Sequence, residues 1–472
     1  CVEICPTTAL HTRADGIVDF DNDRCIGCKS CMQACPYDAL YIDPNTHTAA
    51  KCNYCAHRID GGYEPACVII CPVEAIISGD LDDPESNIAQ LVANEETMTR
   101  KPEKGTDPNL YYINGSSEML DPNATTTDEK YVWSEQSVGV GHFAKYADQR
   151  VAESDTENLL IQLAMENSAK TGQPIDQRAI DNVAKEIQQD VDTQKARRVY
   201  DSPSKGVLWG WEVPAYVWTK AIATGTFLMM AVWSLINGGL DKTSEMTGLV
   251  TTLVFMGLTG GLLVKDIDRP DRFLYVLLRP QWKSWLVRGA YIITVFGGLV
   301  SLKLLDNYLQ LGFDWLWIPG IVFAGLGAVY TAFLFNQARA RDLWQTPIQS
   351  VIHMLVHAVM AGSVTMMIIA PDSSQWMANI LFWGIVANVV IMAKEILMPH
   401  DTPDTKKAIH LMLKGYYSKY FWFGATFGNL ASAVILLTFT GNWVLFAGGM
   451  ALVGIYLTEY VRIRVPQMIP LS

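Results

Sequence analysis

The sequence predicts two fold classes in one chain: a small cysteine-rich α+β domain, followed by an all-α bundle of eight membrane-spanning helices. All ten cysteines lie between Cys1 and Cys71, at spacings that suit metal ligation better than disulfides. The 472-residue chain is 50% hydrophobic, and after residue 207 its apolar residues form long runs that are typical of a membrane protein. These features divide the chain into segments 1–78, 79–206 and 207–472.

The net charge of −12 argues against nucleic acid as a partner. A protein that binds nucleic acid needs a basic face to displace counterions from the phosphates. Acidic residues are concentrated in the first 200 positions of this chain.

Residues 25–36, CIGCKSCMQACP, carry the most specific metal-binding pattern. Two residues separate Cys25 from Cys28, and two separate Cys28 from Cys31. Three residues then separate Cys31 from Cys35, which Pro36 follows directly. The spacing resembles that of bacterial ferredoxins, in which three thiolates bind one [4Fe-4S] cluster and the fourth reaches a second cluster. A structural zinc site is the alternative, but zinc usually takes two cysteine pairs separated by a longer loop. The pattern predicts a bacterial-ferredoxin-like iron-sulfur domain over residues 1–78.

Two further cysteine groups follow the same pattern incompletely. One is stretched by the insert AHRIDGGYEPA, and the other is only the end of a motif; their members are Cys52, Cys55, Cys67 and Cys71, and Cys1 and Cys5. Each complete motif has four cysteines, and ten is not a multiple of four. We therefore expect an amino-terminal stretch with further ligands to precede this sequence, and such a stretch is also where a signal peptide would lie.

The order of the motifs, their endings CPTTAL, CPYDAL and CPVEAI, and the phrase CNYCAHRIDGGYEPAC resemble the four-cluster subunits of molybdopterin oxidoreductases of the polysulfide and dimethyl sulfoxide reductase type. The resemblance implies up to four [4Fe-4S] clusters, with the last ligands exchanged between motifs. It assigns one complete cluster to Cys5, Cys25, Cys28 and Cys31. It assigns three incomplete clusters to Cys1 with Cys35, to Cys52 with Cys55 and Cys67, and to Cys71.

Segment 79–206 is predicted to be an extended and helical linker that contacts a partner. The stretch GDLDDPESN is rich in turn formers and acidic residues, and SSEMLDPNATTTDEK is low in apolar residues. Both indicate a loop or an extension that covers a partner. Residues 156–170 and 176–198 carry apolar residues at intervals of three or four and predict two helices. These helices either grip a partner subunit or form a solvated linker.

Segment 207–472 contains eight apolar stretches long enough to cross about 30 Å of hydrocarbon. Such stretches must be helical, because each must satisfy its own backbone groups in lipid. They cover residues 213–236, 247–265, 285–305, 315–337, 348–370, 376–397, 421–439 and 442–461.

Two loops of this segment carry a second resemblance. Residues 266–290, DIDRPDRFLYVLLRPQWKSWLVRGA, resemble the Gly-Arg-Pro-x-Arg-Phe and Arg-Pro-x-x-Ser-Trp signature of the polysulfide reductase/NrfD family, with Asp268 in place of the usual glycine. Residues 339–347, RARDLWQTP, resemble the next loop of that family on the same side. The resemblance implies a membrane anchor that reacts with quinone.

An even number of helices puts both ends of the bundle on the side of the iron-sulfur domain. The loops on that side hold most of the Lys and Arg residues, whereas the opposite side holds Lys242 and Lys303. The positive-inside rule then places the iron-sulfur domain on the cytoplasmic side of the inner membrane.

Quinone chemistry needs polar or titratable side chains within the bundle, where they are expensive to bury. The candidate quinone contacts are Tyr216, Lys220, Asp266, His353 and His357, and the candidate proton-path residues are Lys394, Glu395 and Glu459, with Asn388 nearby.

Several of these candidates also have a structural interpretation. Lys220 could extend to the interface, Asp266 could pair with Arg269 or Arg272, and Glu459 could be an interfacial charge beside Arg462. The histidines, four residues apart, could bind haem or metal, form hydrogen bonds between helices, or serve quinone and protons.

We therefore predict an electron-transfer and membrane-anchor subunit of a respiratory oxidoreductase, with the catalytic centre on another chain. Electrons would pass between quinone and the clusters, and onwards to or from a molybdopterin-type subunit. The alternatives are a quinol-oxidising module of an alternative complex III-like assembly with multihaem cytochrome subunits, a redox-linked proton translocator, or a scaffold with structural clusters.

Overall fold

The computed structural model of the chain describes residues 1–116, 120, 207–398, 400, 402–469 and 471. The helices predicted at 156–170 and 176–198 lie outside the described residues. The amino-terminal residues and the helical bundle belong to one compact unit.

The amino-terminal domain consists of two antiparallel hairpins and three short helices around a small core. In chain order these are β1 (Leu10–Thr12), β2 (Val18–Phe20), α1 (Ser30–Ala34), β3 (Leu40–Ile42), β4 (Ala49–Lys51), α2 (Ala56–Ile59) and α3 (Ala66–Ile69). Strand β1 pairs with β2, and β3 pairs with β4. Leu40 and Ile42 point into the core because alternate residues of a strand face the same side. The predicted α+β ferredoxin-like domain is confirmed.

The chain then forms α4 (Asn87–Asn94) and a third hairpin of β5 (Thr97–Met98) and β6 (Tyr112–Ile113). Ser86 caps α4, since its Oγ accepts from Ala89 N at 3.2 Å. The loop predicted for GDLDDPESN therefore ends at this cap. The segment also touches the bundle, because Arg339 Nη1 donates to the carbonyl of Gly105 at 2.8 Å.

Within the described residues, eight helical stretches are long and apolar enough to cross a membrane, which confirms the predicted count. The helices of this part are α5 (Glu212–Asn237), α6 (Lys242–Lys265), the short α7 (Tyr275–Leu278), α8 (Trp285–Leu309), α9 (Trp317–Gln337), α10 (Pro347–Ile369), α11 (Ser374–Leu397), the short α12 (Pro403–Leu413), α13 (Ser418–Phe423), α14 (Ser432–Thr438) and α15 (Asn442–Arg464). The predicted boundaries differ by a few residues; α6, for example, begins at Lys242 and not at 247.

Small residues bring the helices of the bundle close together. Gly225 of α5 lies against α10, and a Cβ atom added to it would fall 1.8 Å from the carbonyl oxygen of Ala358. Aromatic side chains fill the wider gaps, with Phe227 in edge-to-face contact with Phe296 at 5.4 Å between ring centroids. The bundle therefore depends on close backbone contacts as well as on side-chain packing.

The seventh crossing is interrupted by a π-helix, Gly424–Ala431, between α13 and α14. A Cβ atom added to Gly428 would lie 2.2 Å from Cα of Gly454 in α15, so this turn packs directly on the last helix. The carbonyl of Gly424 also accepts a hydrogen bond from Asn429 Nδ2 at 3.1 Å. Such single π-turns often occur at functional sites.

Candidate functional site

Four cysteines line one cavity at the end of the amino-terminal domain: Cys5, Cys25, Cys28 and Cys31. The loop that carries three of them winds through left-handed backbone at Gly27, with φ of +69°, and at Lys29, with φ of 59°. These are the cysteines that the resemblance assigns to one complete cluster.

Backbone amides point at two of these sulfur atoms. Gly27 N and Ala49 N lie 3.4 and 3.3 Å from Cys25 Sγ, and Leu10 N lies 3.5 Å from Cys5 Sγ. Donors of this kind stabilise thiolates and tune the potential of a cluster.

The electrostatics of the cavity suit a cationic metal centre. Burial raises the pKa of the Cys28 thiol to about 12 and raises the pKa of the Cys25 and Cys31 thiols as well. Four thiolates cannot share a buried cavity without positive charge to compensate them. The iron of a [4Fe-4S] cluster supplies that charge, so the residues present fit this group.

The other six cysteines lie elsewhere. Cys35 is buried, Cys55 and Cys71 are half-buried, and Cys1, Cys52 and Cys67 are exposed. Ala75 N donates to Cys71 Sγ at 3.2 Å, and this hydrogen bond lowers the pKa of the Cys71 thiol. Their assignment to three further clusters stays a prediction.

The four-cysteine cavity rests on the loop after α6. Asp268 N and Arg269 N donate to the carbonyls of Gly27 and Ile26 at 3.3 and 3.2 Å. Lys29 Nζ pairs with Asp268 Oδ1 at 2.8 Å and donates to the carbonyl of Asp266 at 3.2 Å. The cysteine loop and the loop after α6 therefore complete each other's hydrogen bonds.

A second contact joins the domain to the bundle through buried amides. Gln33 Nε2 donates to Gln467 Oε1 at 2.6 Å, and Arg341 Nε donates to Gln33 Oε1 at 2.9 Å. Trp209 N donates to the same Gln467 oxygen at 2.9 Å, and its indole Nε1 donates to the carbonyl of Cys28 at 3.3 Å. These contacts could not be predicted from the sequence, because no periodic pattern marks them.

The expected ion pair between Asp266 and Arg269 or Arg272 is wrong. In the described structure Arg269 pairs with Asp271 at 2.9 Å, and Arg272 Nη1 donates to the carbonyls of Asn22 and Cys25 at 2.6 and 3.2 Å. Arg269 therefore pairs within its own turn, and Arg272 binds the cysteine loop. Burial raises the pKa of Asp266 to about 7 although Lys29 opposes this shift.

The two candidate histidines lie in a buried polar network between α10, α11 and α15. His353 and His357 place Nε2 2.9 and 3.0 Å from Asn388 Oδ1. His357 Nδ1 lies 3.2 Å from Glu459 Oε1, and His353 Nδ1 lies 3.9 Å from the same oxygen. The hydrogen bonding between helices that was one interpretation of the histidines is present.

Glu459 is not an interfacial charge, as one interpretation held, because it is only 1% exposed. Arg462 lies one turn beyond it and donates to Glu395 Oε1 at 3.1 Å and to Ser350 Oγ at 3.2 Å. Arg462 Nη1 also contacts His353 Nδ1. Glu395 and Glu459 thus belong to one network, with the guanidinium between them, while Lys394 is exposed.

Lys220 is enclosed by the bundle and does not extend to the interface. It is 1% exposed, its Nζ donates to Thr331 Oγ1 at 2.5 Å, and it lies 4.4 Å from the ring centroid of Tyr330. Tyr216 is also buried, one turn before it on α5. The structure therefore gathers the histidines with Glu459 and leaves Lys220 and Asp266 at two other positions.

A cavity on the side of the iron-sulfur domain reaches this network at Glu395. Its lining also includes Lys394, Arg339, Asp342 and Gln349. The exposed Lys394 and the buried Glu395 therefore meet at the wall of one cavity.

Asn429 is a member of the network that was not among the residues predicted from the sequence. It lies in the π-helix of the seventh crossing, where its amide binds Asn388. An asparagine within a membrane-spanning stretch is the signal that could have identified it.

Two families match the chain: "4Fe-4S dicluster domain" over residues 1–81 and "Polysulphide reductase, NrfD" over residues 201–470. The chain is 45% identical to a subunit of the tetrathionate reductase of Salmonella typhimurium over 26% of this chain and 50% of that protein. It is also 45% identical to a component of the polysulfide reductase of Wolinella succinogenes, over 24% of this chain and 60% of that protein. The identity to protein NrfC of Escherichia coli is 45% as well, over 24% of this chain and 52% of that protein. The chain thus spans about half of the length of these curated relatives.

Proposed function

The protein belongs to the polysulphide reductase NrfD family, which matches residues 201–470, and from this premise we propose that it is the electron-transfer and membrane-anchor subunit of a respiratory oxidoreductase. It is a multi-pass membrane protein with a [4Fe-4S] domain. In the proposal it relays electrons between a membrane quinone and a separate catalytic subunit. Names of relatives that include tetrathionate and polysulfide reductase support a sulfur-compound substrate, and the resemblance of the cysteine motifs supports a molybdopterin-type partner.

One observation carries this proposal: the four-cysteine cavity is fastened to the membrane bundle. Gln281 N donates to the carbonyl of Pro6 at 2.9 Å, and Ser284 Oγ donates to the carbonyl of Ile4 at 2.8 Å. With the contacts of Lys29 and Trp209, these bonds hold the cavity from several sides. Electrons tunnel only across short gaps, so a relay to a lipid-soluble carrier needs its nearest metal centre at this position.

Clusters held by these thiolates would supply one-electron redox chemistry. The chain itself holds the thiolates in one cavity, directs amide N–H groups at them and keeps the domain against the bundle. The three amide contacts to Cys5 and Cys25 favour the thiolate form that a cluster requires.

At the quinone end, the proposed contacts are Tyr216, Lys220, Asp266, His353 and His357. Asp266 closes α6, and its backbone carbonyl accepts a hydrogen bond from Lys29. With a pKa of about 7, its carboxyl group can exchange a proton near neutral pH. The histidines lie in the separate network with Glu459. We propose that Asp266 handles protons beside the cluster and that the histidine network, with Glu395 and Lys394, connects to the cavity on this side.

The complex purified from its native membrane tests the proposal. We expect a quinol analogue to reduce the clusters, or a quinone analogue to oxidise pre-reduced clusters, as followed by electron paramagnetic resonance. Clusters that exchange electrons with neither analogue would overturn the proposed function. Zinc without inorganic sulfide on metal analysis would do the same.

The partner and the orientation need separate measurements. A co-purifying subunit with a bound pterin supports the molybdopterin-type complex, whereas multihaem cytochromes support the alternative complex III-like assembly. We propose that the protein lies in the cytoplasmic membrane with its iron-sulfur domain facing the cytoplasm, and protease accessibility in oriented vesicles tests this side.

A further inference from the structure

A series of side-chain amides connects the π-helix to the two buried histidines. It begins at the carbonyl of Gly424, which lies 3.1 Å from Asn429 Nδ2. A carbonyl oxygen only accepts hydrogen bonds, so the amide nitrogen of Asn429 must face it and Oδ1 must face the other way. The backbone therefore fixes the orientation of Asn429.

Asn388 takes its orientation from Asn429. Asn388 Nδ2 donates to Asn429 Oδ1 at 2.9 Å, so its own Oδ1 faces the histidines. That oxygen lies 2.9 Å from His353 Nε2 and 3.0 Å from His357 Nε2. An amide oxygen accepts up to two hydrogen bonds and donates none, so both Nε2 atoms carry hydrogen.

His353 is fully paired as a neutral imidazole. Its Nδ1 contacts Arg462 Nη1, and a guanidinium only donates. Nδ1 of His353 is therefore an acceptor without hydrogen, while its Nε2 donates to Asn388. The contacts at both ends of the network, Gly424 and Arg462, therefore require the same tautomer of His353, with hydrogen on Nε2.

His357 faces a carboxylate and not a guanidinium on its other side. Its Nδ1 lies 3.2 Å from Glu459 Oε1, and both side chains are almost completely buried. If His357 carried only its Nε2 hydrogen and Glu459 were ionised, two lone pairs would face each other. A buried polar atom without a hydrogen-bond partner destabilises the folded protein. One proton between the two atoms removes this conflict.

We propose that the His357–Glu459 pair binds one proton, and that Asn388 and Asn429 are positioning residues that require it there. Either an imidazolium beside a carboxylate or an imidazole beside a carboxylic acid satisfies the contact. Without Asn388, His357 could move its single hydrogen to Nδ1 and donate to Glu459, and no additional proton would be needed.

Among the described residues, no neighbouring charged group donates a hydrogen bond to Glu459 Oε1. Arg462 is paired with Glu395, at 3.1 Å. On α5, which packs against α10, Tyr216 is buried, and Lys220 interacts electrostatically with Glu459 but donates its hydrogen bond to Thr331. An ionised Glu459 beside a neutral His357 would leave its Oε1 atom buried without a hydrogen-bond donor, which is destabilising.

A metal ion is a weaker candidate for the same position. His353, His357 and Glu459 offer ligand atoms within 4.8 Å of one another, but the Arg462 guanidinium already contacts His353 Nδ1. A second cation would meet this fixed positive charge. The geometry therefore points to a proton.

The presence of this proton follows from the hydrogen-bond geometry alone. Any uptake or release of the proton during quinone chemistry rests in addition on the proposed function. Solid-state nuclear magnetic resonance of the cluster-loaded, oxidised full chain in lipid nanodiscs tests the bound proton. The histidine ring nitrogens are labelled with ¹⁵N. The signals that disappear in the His357→Gln variant are assigned to His357. Infrared spectra of the same samples report a protonated carboxyl group.

In the wild-type protein at pH 7 we expect a protonated Nε2 on His357. We also expect either a protonated Nδ1 or a carboxylic acid band that Glu459→Gln removes. In Glu459→Gln the amide can donate to Nδ1, so His357 should become neutral with its hydrogen on Nε2. In Asn388→Leu and Asn429→Leu we expect the hydrogen of His357 to move to Nδ1.

Glu245→Gln is the matched control, because Glu245 lies on α6, 3.7 Å from Lys303, outside this network. It should leave the His357 signals unchanged. A bare Nε2 on His357 in the wild-type protein would overturn the proposal, as would a neutral His357 without a carboxylic acid band. Cluster absorbance identifies variants that fail to fold, and the two asparagine variants provide independent readings.

Discussion

Lys29 and Asp268 form an ion pair of 2.8 Å between Nζ and Oδ1, which joins the cysteine loop to the loop after the second membrane helix. Lys29 also donates to the carbonyl of Asp266. The residue that follows Cys28 therefore contacts both the end of a membrane helix and the loop after it.

Replacing Lys29 should loosen this junction without removing a cluster ligand. For Lys29→Met we expect the quinol-driven rate of cluster reduction to fall several-fold while reduction by dithionite stays normal, because the lost pair and hydrogen bond stabilise docking by about 1 kcal/mol each. Stopped-flow absorbance measures both rates. Lys406→Met, an exposed change on α12, is the control, and equal rates in both variants would contradict the role of the junction.

Asp266 should give the quinol-driven reaction a pH dependence near neutrality. Burial raises the pKa of its carboxyl to about 7, so the group is mainly protonated below pH 7 and mainly ionised above it. We expect the wild-type rate to change across this range and the Asp266→Asn rate to lose that step, because an amide does not titrate. A profile with the same midpoint in the variant would assign the step to another group.

Replacing a cysteine that lines the four-cysteine cavity should remove the cluster bound there, whereas replacing a cysteine outside the cavity should not. For Cys28→Ser we expect iron and inorganic sulfide to fall by about four atoms of each per chain, as one [4Fe-4S] cluster is lost. Cys35→Ser alters a buried cysteine that does not line this cavity, so the spectrum of the cavity cluster should remain. Loss of the same spectral component in both variants would contradict the ligand set.

Gly225 should be intolerant of a side chain. Gly225→Ala places a Cβ atom 1.8 Å from the carbonyl oxygen of Ala358, so α5 and α10 must separate, at a cost of about 1–3 kcal/mol. Gly257→Ala is the control, since a Cβ atom there meets nothing within 4 Å. Thermal unfolding in detergent should give a lower midpoint for Gly225→Ala alone.

Arg462 should contribute to the stability of the protein, because its guanidinium pairs with the buried carboxylate of Glu395. Arg462→Met leaves Glu395 as an unpaired buried charge, so we expect a loss of about 3–5 kcal/mol in stability. The double change with Glu395→Gln should recover part of this loss, because that carboxylate is then removed. Chemical unfolding followed by tryptophan fluorescence measures both; equal stability of the single and double variants would show that the charge pair is unimportant.

The features that depend on local spacing could be predicted from the sequence. The intervals between Cys25, Cys28 and Cys31 indicated one winding loop, and the structure brings Cys5 to the same cavity. The apolar stretches indicated eight membrane crossings, because length and composition suffice for that inference.

Features that depend on helix rotation could not be predicted in this way. Whether Lys220 reaches the interface or faces Thr331 depends on how α5 is turned against α9. Likewise, Asn429 meets Asn388 from within a π-helix, whose residue spacing an α-helical pattern does not describe. An amphipathic pattern would have indicated these faces, but in lipid an apolar surface surrounds each helix and the pattern is weak.

The backbone bonds from Asp268 and Arg269 to Gly27 and Ile26 make cofactor loading and bundle assembly thermodynamically linked. The cysteine loop takes its ligand-binding shape while resting on the loop after α6, and that loop in turn uses the cysteine loop as a partner. Anything that stabilises one partner favours the other by mass action. A cluster bound by the cysteine loop should therefore also stabilise the packed arrangement of the membrane helices beside it.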